Sequence, residues 1–399
     1  MRKFLNHFAS VLALALFAVA AQAAMPEVKV LLAEGEIISG AIEAIEAQGL
    51  KVAGRTIALK DIAQLKFPTA RVIPPHAAPA IFLRNTDALY ESSILSGTDS
   101  KLKLRSASFG DVELDYKLLD RIVFYGGANK KLPDGLDAFF KLPAPKEDLL
   151  LTLKGETVSG FFEKFSDKDI AFNSNGQSRA YTFEQLAAVR LAALEKMEAT
   201  PTLNAHISAA NGSHATGRLK ALEANVIVFE AAGGQDWKCG GYEIASIEFK
   251  GGRMLYLSAL DPLEAEQKPL IGGTPLIFSW RKDRSSAGTA LKIGAQEYEN
   301  GIGVHSYCRL AYDLDAKFAM FLSDVGLDAS AADGASCIWK VLLDGVEAAH
   351  GTATSSAEKI ALKLDVSKTK RLELICDFGP GHDDAGGRLD FGAARLIKP

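Results

Sequence analysis

The sequence predicts an all-β protein in which four small β-units are followed by one β-sandwich. Three observations carry that prediction. Short apolar strands alternate with Gly and Asp turns along the chain. One turn-and-strand pattern returns four times between Val28 and Phe249. From Leu255 the texture changes to longer alternating strands, which read as a single sandwich. With 399 residues, 48% hydrophobic and 24% charged, the chain has the composition of a globular protein and length for two to four domains.

The first element is a targeting segment, residues 1–23. Arg2 and Lys3 give a positive start, Phe8 to Ala21 is almost wholly apolar, and Ala21-Gln22-Ala23 offers the small residues a signal peptidase inspects. The apolar run falls short of the roughly 20 residues that span a bilayer. Cleavage is therefore expected before Ala24, leaving no membrane span and a periplasmic or secreted protein. Loss of Arg2 and Lys3, with no acidic residue lost, takes the formal charge from -4 to -6. That acidity, with no basic cluster, speaks against nucleic acid as a partner.

The four units are placed at 24–68, 79–126, 148–192 and 202–252. The third is the clearest: strand Leu149 to Leu153, turn Lys154-Gly155-Glu156, strand Val158 to Phe165 with Gly160 inside it, turn Asp167 to Asp169, strand Ile170 to Phe172, and a closing strand AAVRL after polar residues. Gly35 and Gly40 take the same two roles in the first copy, and Gly212 and Gly217 in the fourth. The second copy lacks the strand glycine, with Ser92 or Ser93 near its place. The closing positions Leu65, Ile122, Val189 and Ile247 lie 57, 67 and 58 residues apart. Pro-, Gly- and Lys-containing connectors are expected at 68–79, 126–148 and 192–202. Units of this size bury small cores, so packing of neighbours on each other is expected. The order of apolar strand, x-G-x turn, Gly-containing strand and alternating strand resembles the Sm-like and SH3-like small barrels. The RNA binding of Sm proteins is not carried over, since export and net acidity oppose it.

Cys239, Cys308, Cys337 and Cys376 show no metal-ligand spacing. An even number in an oxidising compartment permits two disulfides. The last three nevertheless alternate with apolar neighbours on strand-like runs, so they are read as small buried hydrophobes and no disulfide is required.

In the sandwich, the runs LYLSALDP, SWRKDRSSAGTALKIGAQEYENGIGVHSYCRLAYDL, FLSDVGLDASAADGASCIWKVLLDG and RLDFGAARLI resemble, in order and spacing, the NPCBM carbohydrate-binding modules found beside family 98 glycoside hydrolases. GIGVHS (Gly301 to Ser306), VGLD (Val325 to Asp328) and the LLDG turn (Leu342 to Gly345) carry most of it. The resemblance covers 255–399 and implies a jelly-roll-like sandwich that binds glycans without catalysis. The sequence departs from it at Phe391, where members usually have Trp after the aspartate.

Strict alternation through GIGVHSYCRLAYDL places His305, Tyr307 and Arg309 on one face and Cys308, Leu310 and Tyr312 on the other. His305 either bonds a sugar hydroxyl or fixes its own Gly-rich strand entry. Trp280, among the charged residues of SWRKDR, is the better stacking candidate, with Tyr307 and Tyr298 beside it, whereas Trp339 alternates with Cys337 and Val341 as a core residue. Asp283 and Arg284 offer the acceptor and donor that vicinal hydroxyls need. The ligand set is thus Trp280, Asp283, Arg284, His305 and Tyr307. No cofactor is assigned. For Ca2+, the loop Gly379 to Gly387 with His382, Asp383 and Asp384, and the carboxylates Asp324, Asp328 and Asp333, are weighed against solvated turns.

No GxSxG, HExxH, CxxC or P-loop occurs. A glycosidase would need two carboxylates at a fixed separation, which sequence does not show. The favoured reading is an exported, non-catalytic protein whose sandwich holds a glycan or cell-surface polysaccharide, with the repeats as spacer or docking modules. An envelope scaffold binding other envelope proteins is the alternative.

Overall fold

The computed structural model describes residues 25–69, 79–124, 135–143, 145–192, 203–272, 274–275, 278–381 and 387–399. The targeting segment, most of the three connectors, and His382, Asp383 and Asp384 lie outside them. Strands make up 58% of the chain and helices 5%, so the protein is all-β. It divides into two compact units, one ending at Lys250 and the other Gly251–Pro399.

In the first unit copies one, three and four each have five strands, whereas in copy two the second strand is divided into Ala88–Leu89 and Ser92–Gly97, the latter in a separate three-stranded sheet with Lys101–Ser106 and Gly110–Asp115. In the third copy the strands are Asp148–Thr152, Thr157–Phe165, Asp169–Ser174, Gln177–Thr182 and Leu186–Arg190, with a 3-10 turn, Phe183–Gln185, before the last. The first strand pairs with both the second and the closing strand. The fourth strand, QSRAYT, is almost wholly exposed. It carries no apolar alternation, which is why its sequence reads only as polar residues.

The entry turn repeats bond for bond. Leu32, Leu83, Thr152 and Ala209 each donate to the carbonyl four residues on, and Gly35, Thr86, Gly155 and Gly212 each donate back to them. All four of these turn residues have positive φ, 99°, 73°, 83° and 88°. Thr86 is thus a β-branched residue in glycine's place. Gly160 and Gly217 have a different reason to be glycine: a Cβ there would sit 2.0 Å and 2.3 Å from the carbonyl oxygens of Asn173 and Glu230 on the third strand.

The copies are joined through equivalent residues. The closing strands Ile62–Lys66 and Ile244–Lys250 pair antiparallel with Leu65 opposite Ile247. Leu119–Val123 and Leu186–Arg190 pair with Ile122 opposite Val189. Both joints are local two-folds through the closing positions. The second sets Arg121 opposite Arg190. Like charges there would repel, but the Arg121 guanidinium lies over the rings of Phe82 and Phe140 while Arg190 donates to the Leu142 carbonyl. Phe140 and Leu142 belong to or follow a short helix, Leu136–Lys141, inside the expected connector; its Leu136 and Phe139 bury against Leu151, Ala187 and Ala188.

A third joint links copies two and four at Ala88 opposite His214. It is reciprocal: Tyr90 N donates to Ser213 Oγ at 2.8 Å, and Thr216 N donates to Asp87 Oδ2 at 2.9 Å. Asp87 and Ser213 occupy the same repeat position and are both buried. The equivalent residues of copies one and three are Glu36 and Glu156, both exposed. The copies therefore run 1–4–2–3 in space, and one apolar core extends through all of them.

The second unit is a two-sheet sandwich. One sheet has the order Arg281–Lys282, Gly301–His305, Arg388–Ile397, Met320–Leu327, Ile360–Asp365, with Met254–Tyr256 also on Arg388–Ile397. The other has Glu264–Gln267, Cys308–Asp313, Arg371–Phe378, Cys337–Leu343, Val346–Ala353. The core between them includes Tyr312, Phe321, Trp339 and Phe391.

All four cysteines are buried thiols. Cys308 and Cys376 are opposite in register with Cys337 on the next strand, and burial raises the Cys308 thiol to about 12. Too little thiolate forms for easy oxidation.

Two outcomes are expected. Thr86→Gly should stabilise the repeat unit by about 1 kcal/mol in urea unfolding, since glycine relieves the positive φ; a loss of stability would mean the Thr86 side chain matters more than its backbone. Alkylation in denaturant without reductant should label four thiols by intact mass, and fewer would reveal an oxidised pair.

Candidate functional site

The site is built on the outer face of the first sandwich sheet. Ile302, Val304, Leu389 and Phe391 point into the core and are at most 2% exposed. Alternation then sends Gly303, His305, Arg388 and Asp390 outward. This face is flat because glycines line it: a Cβ on Gly301, Gly303, Gly326 or Gly392 would meet Phe391 O, Arg284 O, Ile293 Cγ2 or the Tyr298 ring at 2.5, 2.3, 2.5 and 2.8 Å. Segment 284–298 lies across that strip, with Leu291 and Ile293 fully buried.

At one end of the strip His305 stands opposite Arg388. Between them sits Phe278, stacked on the imidazole at 5.0 Å and under the guanidinium at 4.5 Å. His305 Nδ1 faces Ser306 O at 2.9 Å, and the residue is 9% exposed. Arg388 donates to Ser330 O at 2.5 Å, and its Nε is buried without a partner among the described residues, as is Ser306 Oγ.

The expected common face of His305, Tyr307 and Arg309 does not form. The strand ends at His305 and a new one begins at Cys308 in the other sheet, so the chain crosses the sandwich at Ser306-Tyr307. Apolar alternation continues across the crossing and hides it. Tyr307 is half-buried, backbone-paired with Lys268, whose ammonium lies 5.4 Å from its ring centre. Trp280 is half-buried against the core edge, its N donating to Gln267 Oε1. Arg284 is exposed. Asp283, at φ 56°, accepts from Gly301 N at 3.0 Å and Asn300 Nδ2 at 3.4 Å, and so fixes the start of the glycine strand. Tyr298 is tied to Asp324 at 2.8 Å, and Trp339 is buried over Gly351. Phe278, Lys268 and Arg388 escape the sequence reading; the Arg388-Leu389-Asp390 alternation gave the one available signal.

Beneath the strap, Asp390 and Asp328 are 0% and 1% exposed, each with one oxygen lacking a partner among the described residues, and Lys292 N donates to Asp390 Oδ2. Ser330 Oγ donates to Asp328. Burial first, and then the neighbouring Asp328, push the Asp390 carboxyl up to about 9. Asp390 therefore keeps its proton near neutrality. Among the described residues no group of three His, Cys, Asp or Glu side chains is arranged to hold a metal.

The NPCBM/NEW2 domain model matches residues 253–397. Among solved structures, the CBM51 of a Clostridium perfringens GH95 protein, in complex with methyl-galactose, is 25% identical over 36% of this chain and 99% of that one, with a TM-score of 0.32. The CBM51-2 and INT domains of Clostridium perfringens ZmpB, solved with GlcNAc, are 22% identical over 43% of this chain and 36% of that one, TM-score 0.32. The tandem CBM51 modules of a Streptococcus pneumoniae family 98 glycoside hydrolase are 15% identical over 63% and 88%, TM-score 0.31. No curated protein matches the chain.

The carboxyl pair makes a pH test. Asp390 is raised from 3.8 to about 9 in the fold, so its contribution is fully present below about pH 4 and is lost as pH rises toward 9. Relative to Asp390→Asn, the parent sandwich should lose stability on going from pH 5 to 8.5, with a limiting slope of about 1.4 kcal/mol per pH unit for one proton. Calorimetry of both proteins at several pH values checks this, and parallel curves would refute the raised Asp390 carboxyl.

Proposed function

We propose that the chain is an exported, non-catalytic carbohydrate-binding protein, with glycan recognition through the C-terminal sandwich and the repeats as spacer or docking modules. The match of residues 253–397 to the NPCBM/NEW2 domain carries this reading. Chemistry at the sandwich end supports it. Trp280 and Tyr307 are half-buried rings and so combine a fixed orientation with an open edge, the form in which aromatic groups receive the C–H face of a sugar. Arg284 and the His305–Phe278–Arg388 stack add donors for hydroxyls. Export rests on the leader-like residues 1–23.

A small sugar buries little surface, so dissociation constants of micromolar to millimolar, about 4 to 8 kcal/mol, are expected. A glycan array probed with the full chain tests the reading, and retention of no glycan overturns it. With a retained glycan, Trp280→Ala should weaken binding by about 1 to 3 kcal/mol. Trp339→Ala should instead lower the melting temperature, because emptying the space over Gly351 costs about 3 to 5 kcal/mol. Unchanged affinity in Trp280→Ala would move the site elsewhere on the sandwich.

A further inference from the structure

The sandwich has seven arginines, and their partners divide them. Arg309 and Arg371 are locked to Glu264 and Glu373 on the other sheet. Arg281, Arg284 and Arg388 have no carboxylate within ion-pair distance among the described residues, although elsewhere on this unit Lys282, Lys292, Lys317 and Lys359 each have one. These three arginines share one corner. Arg281 is opposite Gly303, the Arg284 carbonyl rests on Gly303, and Arg388 is opposite His305 two residues further on. Asp283, next to Arg284, accepts from Gly301 N, and Asp390, two residues from Arg388, accepts from Lys292 N. Among the described residues an acidic chain thus keeps a corner of guanidinium groups without a carboxylate partner, one of them over an aromatic ring at 4.5 Å with a buried Nε that has no partner among those residues.

Guanidinium is the side chain suited to planar or tetrahedral oxyanions, because its donors match two oxygens at once. Resting on the carbohydrate-binding reading above, we infer that the glycan taken at this corner is anionic, presenting a carboxylate or a sulfate ester to Arg281, Arg284 and Arg388. Neutral hydroxyls would engage these groups without needing three unpaired cations.

The test is an array of neutral, uronate-bearing and sulfated glycans probed with the full chain. Retained glycans should be anionic, and methyl-esterifying the uronate or desulfating the sugar should abolish retention; which of the two treatments does so identifies the anion. Affinity should fall about tenfold or more between 50 and 500 mM NaCl. Arg281→Gln with Arg284→Gln, both at exposed positions, should weaken binding about tenfold or more with an unchanged melting temperature. Retention of neutral glycans alone, or salt-independent binding, overturns the anionic class and leaves the carbohydrate reading standing. Retention of nothing overturns both.

Discussion

A β-unit of about 40 residues cannot enclose enough apolar surface to stand alone, and the architecture of residues 25–250 follows from that limit. Each closing strand serves two sheets, its own and that of another copy. Leu65 and Ile247, like Ile122 and Val189, are fully buried because each has the other's copy beyond it. The result is one core through four copies. Such sharing requires the closing strands to be interchangeable, which explains why they hold the most regular sequence register of the repeat.

Legibility in the sequence tracks how many neighbouring residues repeat a signal. The all-β class and the entry turns were readable because Gly35, Gly155 and Gly212 sit at fixed offsets from apolar strands. Copy two was blurred because it lacks the strand glycine, and Thr86 also stands where the others have the turn glycine. The joint between copies two and four was invisible, since it depends on single residues, Asp87 and Ser213, whose burial no local pattern encodes. At the sandwich end, Trp280, Asp283, Arg284, His305 and Tyr307 were singled out from their residue types. The crossing at Ser306-Tyr307 was not, and neither was the ring of Phe278, which meets His305 and Arg388 only through the order of strands in the sheet.

Three glycines of the sandwich have one common cause. Gly303, Gly326 and Gly392 lie where the outer sheet face must accept the Arg284 carbonyl, the Ile293 side chain and the Tyr298 ring of segment 284–298 at a distance no Cβ permits. That strap in turn encloses Asp328 and Asp390 and carries Arg284 to the corner beside His305. The packing of the strap and the placement of the proposed site therefore rest on the same few positions, and a substitution in the strip would disturb both.

The spatial order 1–4–2–3 sets a timetable for the chain as it is made. Copy one emerges first, yet among the described strands its partner is copy four, so its closing strand waits while about 180 residues are synthesised. Copies two and three can pair as soon as both exist, but copy four is the keystone that ties them to copy one. Until it arrives, two half-assemblies coexist with unpaired strand edges, the condition under which nascent chains stick to one another. A chain that stops before copy four is complete would stay loosely joined, and the last repeat to appear would close the whole array at once.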